Sequence, residues 1–185
     1  RDRLRALAPW LGAVLSGTLI FLSFPGFDLQ HPIWIALVPL LLASADATPR
    51  RAFALGMVTG WLANVVGFFW MEHMLVSFGP PWMAGPVAWI IVALGAVWQA
   101  LPYGGALALA RVAGARGHVW GAACFLAAFT GLEAFHPILF PWFLGDSQHG
   151  IPLPIQIADL VGVYGVTFLI VAVNLALWTL AERFV

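Results

Sequence analysis

The sequence predicts an all-α, polytopic transmembrane helix bundle of about six helices with no soluble domain, and three observations carry that prediction. Of the 185 residues, 62% are hydrophobic and 9% are charged, whereas soluble domains run near ~25% charged. So few ionic groups cannot cover a water-facing exterior. Stretches free of Asp, Glu, Lys and Arg recur at 6–27, 29–45, 52–71, 73–110, 117–132 and 160–181, close to the ~20 apolar residues that one bilayer crossing requires. The basic residues, finally, fall only at alternate junctions between these stretches.

Taken in order, the spans are 8–24, 32–45, 52–72, 86–110, 118–135 and 161–181. The first follows a basic start at Arg1, Arg3 and Arg5. It has no small-x-small cleavage site before Pro25-Gly26, so it reads as an uncleaved span of a longer gene product. The second is short and either tilts little or ends in the interface. The stretch 73–110 is too long for one crossing; Phe78-Gly79-Pro80-Pro81 breaks its beginning and Pro86 suits the first turn of a new helix. Pro102 predicts a kink inside that helix, since it removes one N–H and leaves a carbonyl to be satisfied by a neighbour. Between spans five and six lies an interfacial arm, 136–160, too rich in proline for one helix and too aromatic for a solvated loop.

Topology follows from the arginines. Arg1, Arg3 and Arg5 precede span one, Arg50 and Arg51 separate spans two and three, Arg111 and Arg116 separate four and five, and Arg183 follows six. The positive-inside rule makes that side cytoplasmic, with both ends of this segment on it and the arm on the opposite side. Trp34, Trp70, Trp82 and Trp142 then fall near the outer headgroups and Trp10, Trp120 and Trp178 near the inner ones, as aromatic belts do. In span three, Gly56, Gly60, Ala63 and Gly67 share one face and predict close approach of a neighbouring helix, with Gly117 and Gly121 a weaker case. Asn64 and Asn174 are expected to hydrogen-bond between helices. A net charge of zero with eight basic residues argues against nucleic acid as a partner. Cys124, the single cysteine, reads as a small apolar residue.

Polar residues gather on the outer side: Asp28, His31, Glu72, His73 and the segment 133–159. Carboxylates at helix ends in a bilayer are costly unless paired, solvated or functional, which singles out Glu133 and, less strongly, Glu72. Glu133 and His136 have the Glu-x-x-His spacing of di-metal ligands, but such sites need a second copy and further carboxylates, so neither metal nor cofactor is expected. Asp146, Ser147 and His149 contain triad residue types, yet triads are defined by geometry rather than adjacency, and a self-bonded polar loop is the expectation.

The block Phe140-Pro141-Trp142, Leu144-Gly145 and Ser147-Gln148, preceded by a helix-terminal Glu, resembles the corresponding stretch of apolipoprotein N-acyltransferase. The likeness continues through Gln156-Ile157-Ala158-Asp159 and Gly162-Val163-Tyr164-Gly165-Val166-Thr167-Phe168-Leu169 to Asn174. It also takes in Phe24-Pro25, Gly56 to Trp70, Phe78-Gly79 and Trp82 to Tyr103. The resemblance implies a multi-pass protein of the bacterial inner membrane that moves an acyl chain from a phospholipid to the N-terminal cysteine of a lipoprotein. In that family a nitrilase-like domain with a Glu-Lys-Cys triad performs the chemistry. These 185 residues contain no lysine, so that triad cannot be built from them and no catalytic residue is assigned here. The implied partners are phospholipid and lipoprotein in the membrane. Trp70, Glu133, Phe140, Pro141, Trp142 and Gln148 are the candidate lipid- and substrate-binding residues, with Trp70, Phe140 and Trp142 lining an apolar trough or serving as interfacial anchors.

Two other readings remain open from the sequence. A small transporter or channel could use Glu72, Glu133 and the outer histidines, although polar groups do not continue through the bilayer. A non-enzymatic membrane scaffold, alone or fused to another catalytic domain, would need the same helices and different downstream residues.

Overall fold

Backbone amides in hydrocarbon must be satisfied within the segment or by protein neighbours, and the chain meets that demand with helices; no strand occurs among the described residues. The computed structural model describes residues 2–137 and 139–184. Arg1, one of the orienting arginines, and Ile138, inside the arm, lie outside them, as does Val185. The helices are α1 (Asp2–Leu22), α2 (Val38–Ala43), α3 (Pro49–Gly67), α4 (Phe69–Phe78), α5 (Pro86–Gln99), α6 (Leu101–Gly114), α7 (His118–Phe135), α8 (Pro152–Ile155), α9 (Ala158–Val161) and α10 (Val163–Ala181). Short 3-10 turns cover His31–Trp34, Pro81–Met83 and Leu144–Gln148.

Three helices are long and apolar enough to cross a membrane: α5 with α6 over Pro86–Gly114, α7, and α10. The pair α3 and α4, bent by 50° at their junction, makes a fourth if it is one span. The apolar helices over Ala6–Leu22 and His31–Ala43 are shorter. The bend falls where Gly67 meets the aromatic run Phe68-Phe69-Trp70, and it turns Phe68 and Trp70 toward the arm. The stretch 32–45 is not one helix but a 3-10 turn followed by a helix of six residues. Side chains from two other helices make that break tolerable. Asn174 on α10 accepts the Leu37 N–H (2.8 Å) and donates to the Ile33 carbonyl (2.9 Å), while Ser16 on α1 accepts the Leu40 N–H (2.8 Å). Asn174 thus bonds between helices, but Asn64 does not; its amide donates to the Gly60 carbonyl of its own helix.

α6 lies between α3 and α7, α1 packs on α3, and α10 closes the bundle against α7, α2 and the Leu144–Gln148 turn. The exterior is apolar, with Phe135 and Leu160 among the side chains left almost wholly exposed at 88% and 86%. A soluble protein would hide such a surface.

The small-residue stripe performs the packing expected of it. A Cβ on Gly56 would stand 2.5 Å from the Tyr103 carbonyl oxygen and 2.8 Å from Gly104 Cα, and one on Gly60 would stand 2.9 Å from Ala100 Cα. These are backbone atoms of α5–α6 that cannot swing aside. Gly56→Val should therefore lower stability by ~1–3 kcal/mol or more, the cost of overpacking a close contact, read as the melting midpoint in detergent. Gly131, whose added Cβ would meet nothing within 4 Å, is the control: Gly131→Ala should leave the midpoint unchanged, and equal losses at both positions would refute the packing role.

Candidate functional site

The chain leaves α7 at Phe135 and does not return to a long helix until α10. What holds the intervening arm is a set of polar side chains reaching its backbone. Pro102 has no N–H to offer the Trp98 carbonyl one turn earlier, and His136 Nε2 stands 3.2 Å from that oxygen. Trp98 Nε1 donates to the Pro137 carbonyl (2.6 Å), and its ring lies against His136 at 4.9 Å. Gln99, buried at the end of α5, donates to the Phe140 carbonyl (3.2 Å) and accepts the Leu139 N–H (3.1 Å). The carbonyl that Pro102 leaves free, rather than the expected kink itself, is therefore part of the dock for the arm.

Glu133 anchors the next stretch. It is the one acidic side chain among the buried described residues, and both its oxygens are occupied. Oε1 accepts the Leu144 N–H (2.8 Å) and Oε2 accepts the Thr167 hydroxyl (2.7 Å). The same hydroxyl accepts the Gly145 N–H (3.0 Å). Leu144 and Gly145 open a 3-10 turn, whose leading N–H groups have no partner within the turn. The carboxylate of α7 and the hydroxyl of α10 supply the acceptors. Gly145 is needed there because a Cβ would stand 2.6 Å from the Val163 carbonyl oxygen at the head of α10. Asp146 completes the turn by accepting the Phe143 N–H (2.8 Å). Partial burial holds its carboxyl above the usual aspartate pKa, with the Phe143 bond and nearby His149 pulling it back.

Between these two docks the aromatic residues form one cluster. Trp142 meets Phe24 edge-on at 4.8 Å and Phe68 at 5.7 Å, while Phe140 meets Trp70 at 5.5 Å and Phe68 at 6.0 Å. Gly67 lies beside the ring, where an added Cβ would stand 3.7 Å from Trp142, an ordinary contact. The Trp142 Nε1–H is buried with no partner among the described residues.

Trp70, Phe140 and Trp142 thus come together, and Glu133 fixes the turn that follows them. Pro141 is exposed between the two aromatics. Gln148 lies apart, buried, donating to the Gln30 carbonyl (2.9 Å) and tying the arm to the loop after α1; its Oε1 is buried without a partner. Asp146, Ser147 and His149 bond within the turn or to Asp28, Ser147 to the Leu144 carbonyl and His149 to the Asp146 carbonyl. Among the described residues no three His, Cys, Asp or Glu side chains are grouped to hold a metal ion. Sequence reasoning gave no role to Gln99, Thr167, Phe68 or Phe24, although Phe24 and Thr167 stand in the stretches of likeness. Gln99 was findable as the polar interruption of an apolar run, and Thr167 as the hydroxyl inside Gly-Val-Tyr-Gly-Val-Thr.

The aromatic cluster is packed rather than open. An open apolar crevice of about 470 Å³ lies instead between α7 and α9–α10, lined by Thr130, Ile157, Val161, Tyr164, Gly165, Phe168 and Leu169. Tyr164 reaches from it to Phe143 of the arm (5.1 Å), and Thr130 Oγ1 is buried in its wall without a partner.

Residues 16–176 match the model of the apolipoprotein N-acyltransferase N-terminal domain. The chain is similar to an apolipoprotein N-acyltransferase of Geobacter metallireducens, 37% identical over 95% of this chain and 34% of that protein. It is also similar to that of Thermotoga maritima, 30% identical over 98% and 37%, and to apolipoprotein N-acyltransferase 2 of Leptospira interrogans, 28% identical over 88% and 27%. The chain spans about a third of the length of these relatives.

Proposed function

Because the chain belongs to the apolipoprotein N-acyltransferase family through its N-terminal domain, we propose that these 185 residues form the membrane module that presents a phospholipid for acyl transfer to the N-terminal cysteine of a lipoprotein. The arginine-bearing end faces the cytoplasm of a bacterial inner membrane and the arm faces outward, in line with the positive-inside rule. Each acyl methylene buried in hydrocarbon is worth ~0.8 kcal/mol. A diacylated substrate therefore stays in the bilayer, and the protein must meet it from the side.

The observation that carries this reading is the crevice beside α9–α10: apolar, open, and joined by Tyr164 to the proline–aromatic arm. In this reading the crevice receives an acyl tail, the cluster of Trp70, Phe140 and Trp142 sets the height of the headgroup, and Glu133 and Gln148 keep the arm in place. Vesicles containing the full-length gene product and a phospholipid with a photoreactive acyl chain should give adducts on Thr130, Tyr164 or Phe168. Thr130→Trp, which fills the crevice, should lower both adduct yield and transfer to a diacylated lipopeptide by about tenfold, equivalent to ~1.4 kcal/mol. Adducts elsewhere with full transfer by Thr130→Trp would overturn the assignment.

A further inference from the structure

At the opposite, arginine-bearing end of the bundle lies a second cavity with a different chemistry. It measures about 280 Å³ and opens among the loop after α2, the end of α6, the start of α7 and the end of α10. The deep wall is apolar, made by Leu41, Leu107 and Phe125. The polar groups are Arg111, His118, Trp178, Asp46, Glu182 and Ser44, whose hydroxyl already donates to the Leu41 carbonyl. Nothing in the outer arm or its crevice uses them.

Two of these groups are donors without acceptors. Trp178 is 6% exposed, and its Nε1–H is buried with no partner among the described residues. The Arg111 Nε–H is likewise buried and unpartnered. Leaving a donor buried and unmade costs ~1–3 kcal/mol, so two donors lining one cavity point to an acceptor that enters it. The Trp178 ring is held in place by His118, stacked on it at 4.5 Å and 21°, and His118 Nδ1 is in turn 3.5 Å from the Glu182 carboxylate.

The charge pattern narrows the ligand. One arginine shares the cavity with two carboxylates, Asp46 and Glu182. A simple anion would satisfy Arg111 and Trp178 but be repelled by both acids. A simple cation would suit the acids and leave both donors unmade. A group carrying a phosphate oxygen and an ammonium close together meets both requirements. The volume lies just under the ~300–1,000 Å³ of whole-ligand pockets, which suits a headgroup rather than a complete lipid, and the Leu41–Leu107–Phe125 wall suits the first carbons of its tails.

We propose that this cavity binds a phosphate-and-ammonium headgroup of the phosphoethanolamine type, with the phosphate on Arg111 and Trp178 and the ammonium on Glu182 and Asp46. The site is separate from the acyl-transfer reading and stands or falls apart from it. It holds a lipid of the leaflet opposite the arm, locking together the ends of α6, α7 and α10.

The test uses the full-length gene product in detergent, offered phosphatidylethanolamine, phosphatidylglycerol or phosphatidylcholine and followed by native mass spectrometry. Phosphatidylethanolamine should be retained about tenfold better than phosphatidylglycerol, which lacks the ammonium, and better than phosphatidylcholine, whose methylated nitrogen cannot donate to the carboxylates. Trp178→Phe, which keeps an aromatic face toward His118 but removes the N–H, and Arg111→Gln, on a different helix, should each cut that preference about fivefold or more. A second arm offers water-soluble O-phosphoethanolamine as competitor. Competition only from the lipid supports the bilayer source; equal competition by the soluble compound, lost in both variants, supports the same chemistry from a soluble source. Equal retention of the three lipids, or a preference unchanged in both variants, would overturn the site.

Discussion

Glu133→Ala should release the arm. The substitution leaves the Leu144 N–H and the Thr167 hydroxyl, both buried, without the acceptors they now have at 2.8 and 2.7 Å. Each such group costs ~1–3 kcal/mol when left unmade, and a folded chain has only ~5–15 kcal/mol in hand. The melting midpoint in detergent should fall, and hydrogen exchange at Leu144 and Gly145 should rise by orders of magnitude while α7 itself stays protected. Acyl transfer by the full-length gene product should fall with it, because the aromatic cluster loses one of its two fixed ends.

Glu133→Gln separates the hydrogen bonds from the charge. One amide oxygen can keep the Leu144 N–H, but an amide NH2 facing Thr167 cannot accept. The hydroxyl, with two lone pairs, can accept from that amide and from Gly145 together, but its own proton loses its acceptor. Glu133→Gln should therefore keep Leu144 and Gly145 protected while lowering the melting midpoint, by less than Glu133→Ala does. Thr167→Val, by contrast, should expose Gly145 and leave Glu133 Oε2 without its partner. Exchange at 144–145 indistinguishable from the parent chain in Glu133→Ala would rule out the anchoring role.

That anchor shows what could be read from residue types alone. The charge-free runs and alternating arginines convey an all-helical membrane bundle, because burial in lipid imposes a length and a composition on each helix. The range 118–135 coincides with α7 for that reason, and the breaks at Phe78 and Pro86 follow from proline and glycine chemistry. Glu133 stood out because a carboxylate at that depth is costly. What it bonds did not stand out, since Thr167 is 34 residues away. The division of 32–45 into a turn and a short helix was illegible for the same reason: it is made tolerable by Asn174, 137 residues beyond Leu37. Trp70, Phe140 and Trp142 were legible as a group, yet their close packing, and the displacement of open space to α9–α10, depend on a bend after Gly67 that composition does not specify.

Trp142→Ala is the substitution expected to have the largest effect on that cluster. The ring touches Phe24 of the α1 end and Phe68 of the α3–α4 bend, so it joins three segments far apart in sequence. Truncating a fully buried Trp costs ~3–5 kcal/mol; Trp142 is half-buried, which places it at or below the lower end. Trp142→Ala should thus lower both the melting midpoint and acyl transfer. Trp142→Phe distinguishes their causes. It keeps an aromatic body against Phe24 and Phe68 and removes only an N–H that has no partner among the described residues. If the ring serves packing alone, Trp142→Phe should transfer acyl chains at the parent rate. If the N–H meets a headgroup or ester oxygen of the bound phospholipid, transfer should fall about fivefold, the worth of one hydrogen bond of ~1 kcal/mol, at an unchanged melting midpoint. The second outcome is the one expected of a cluster that sets headgroup height, and full transfer by both variants would leave Trp142 no part in handling lipid.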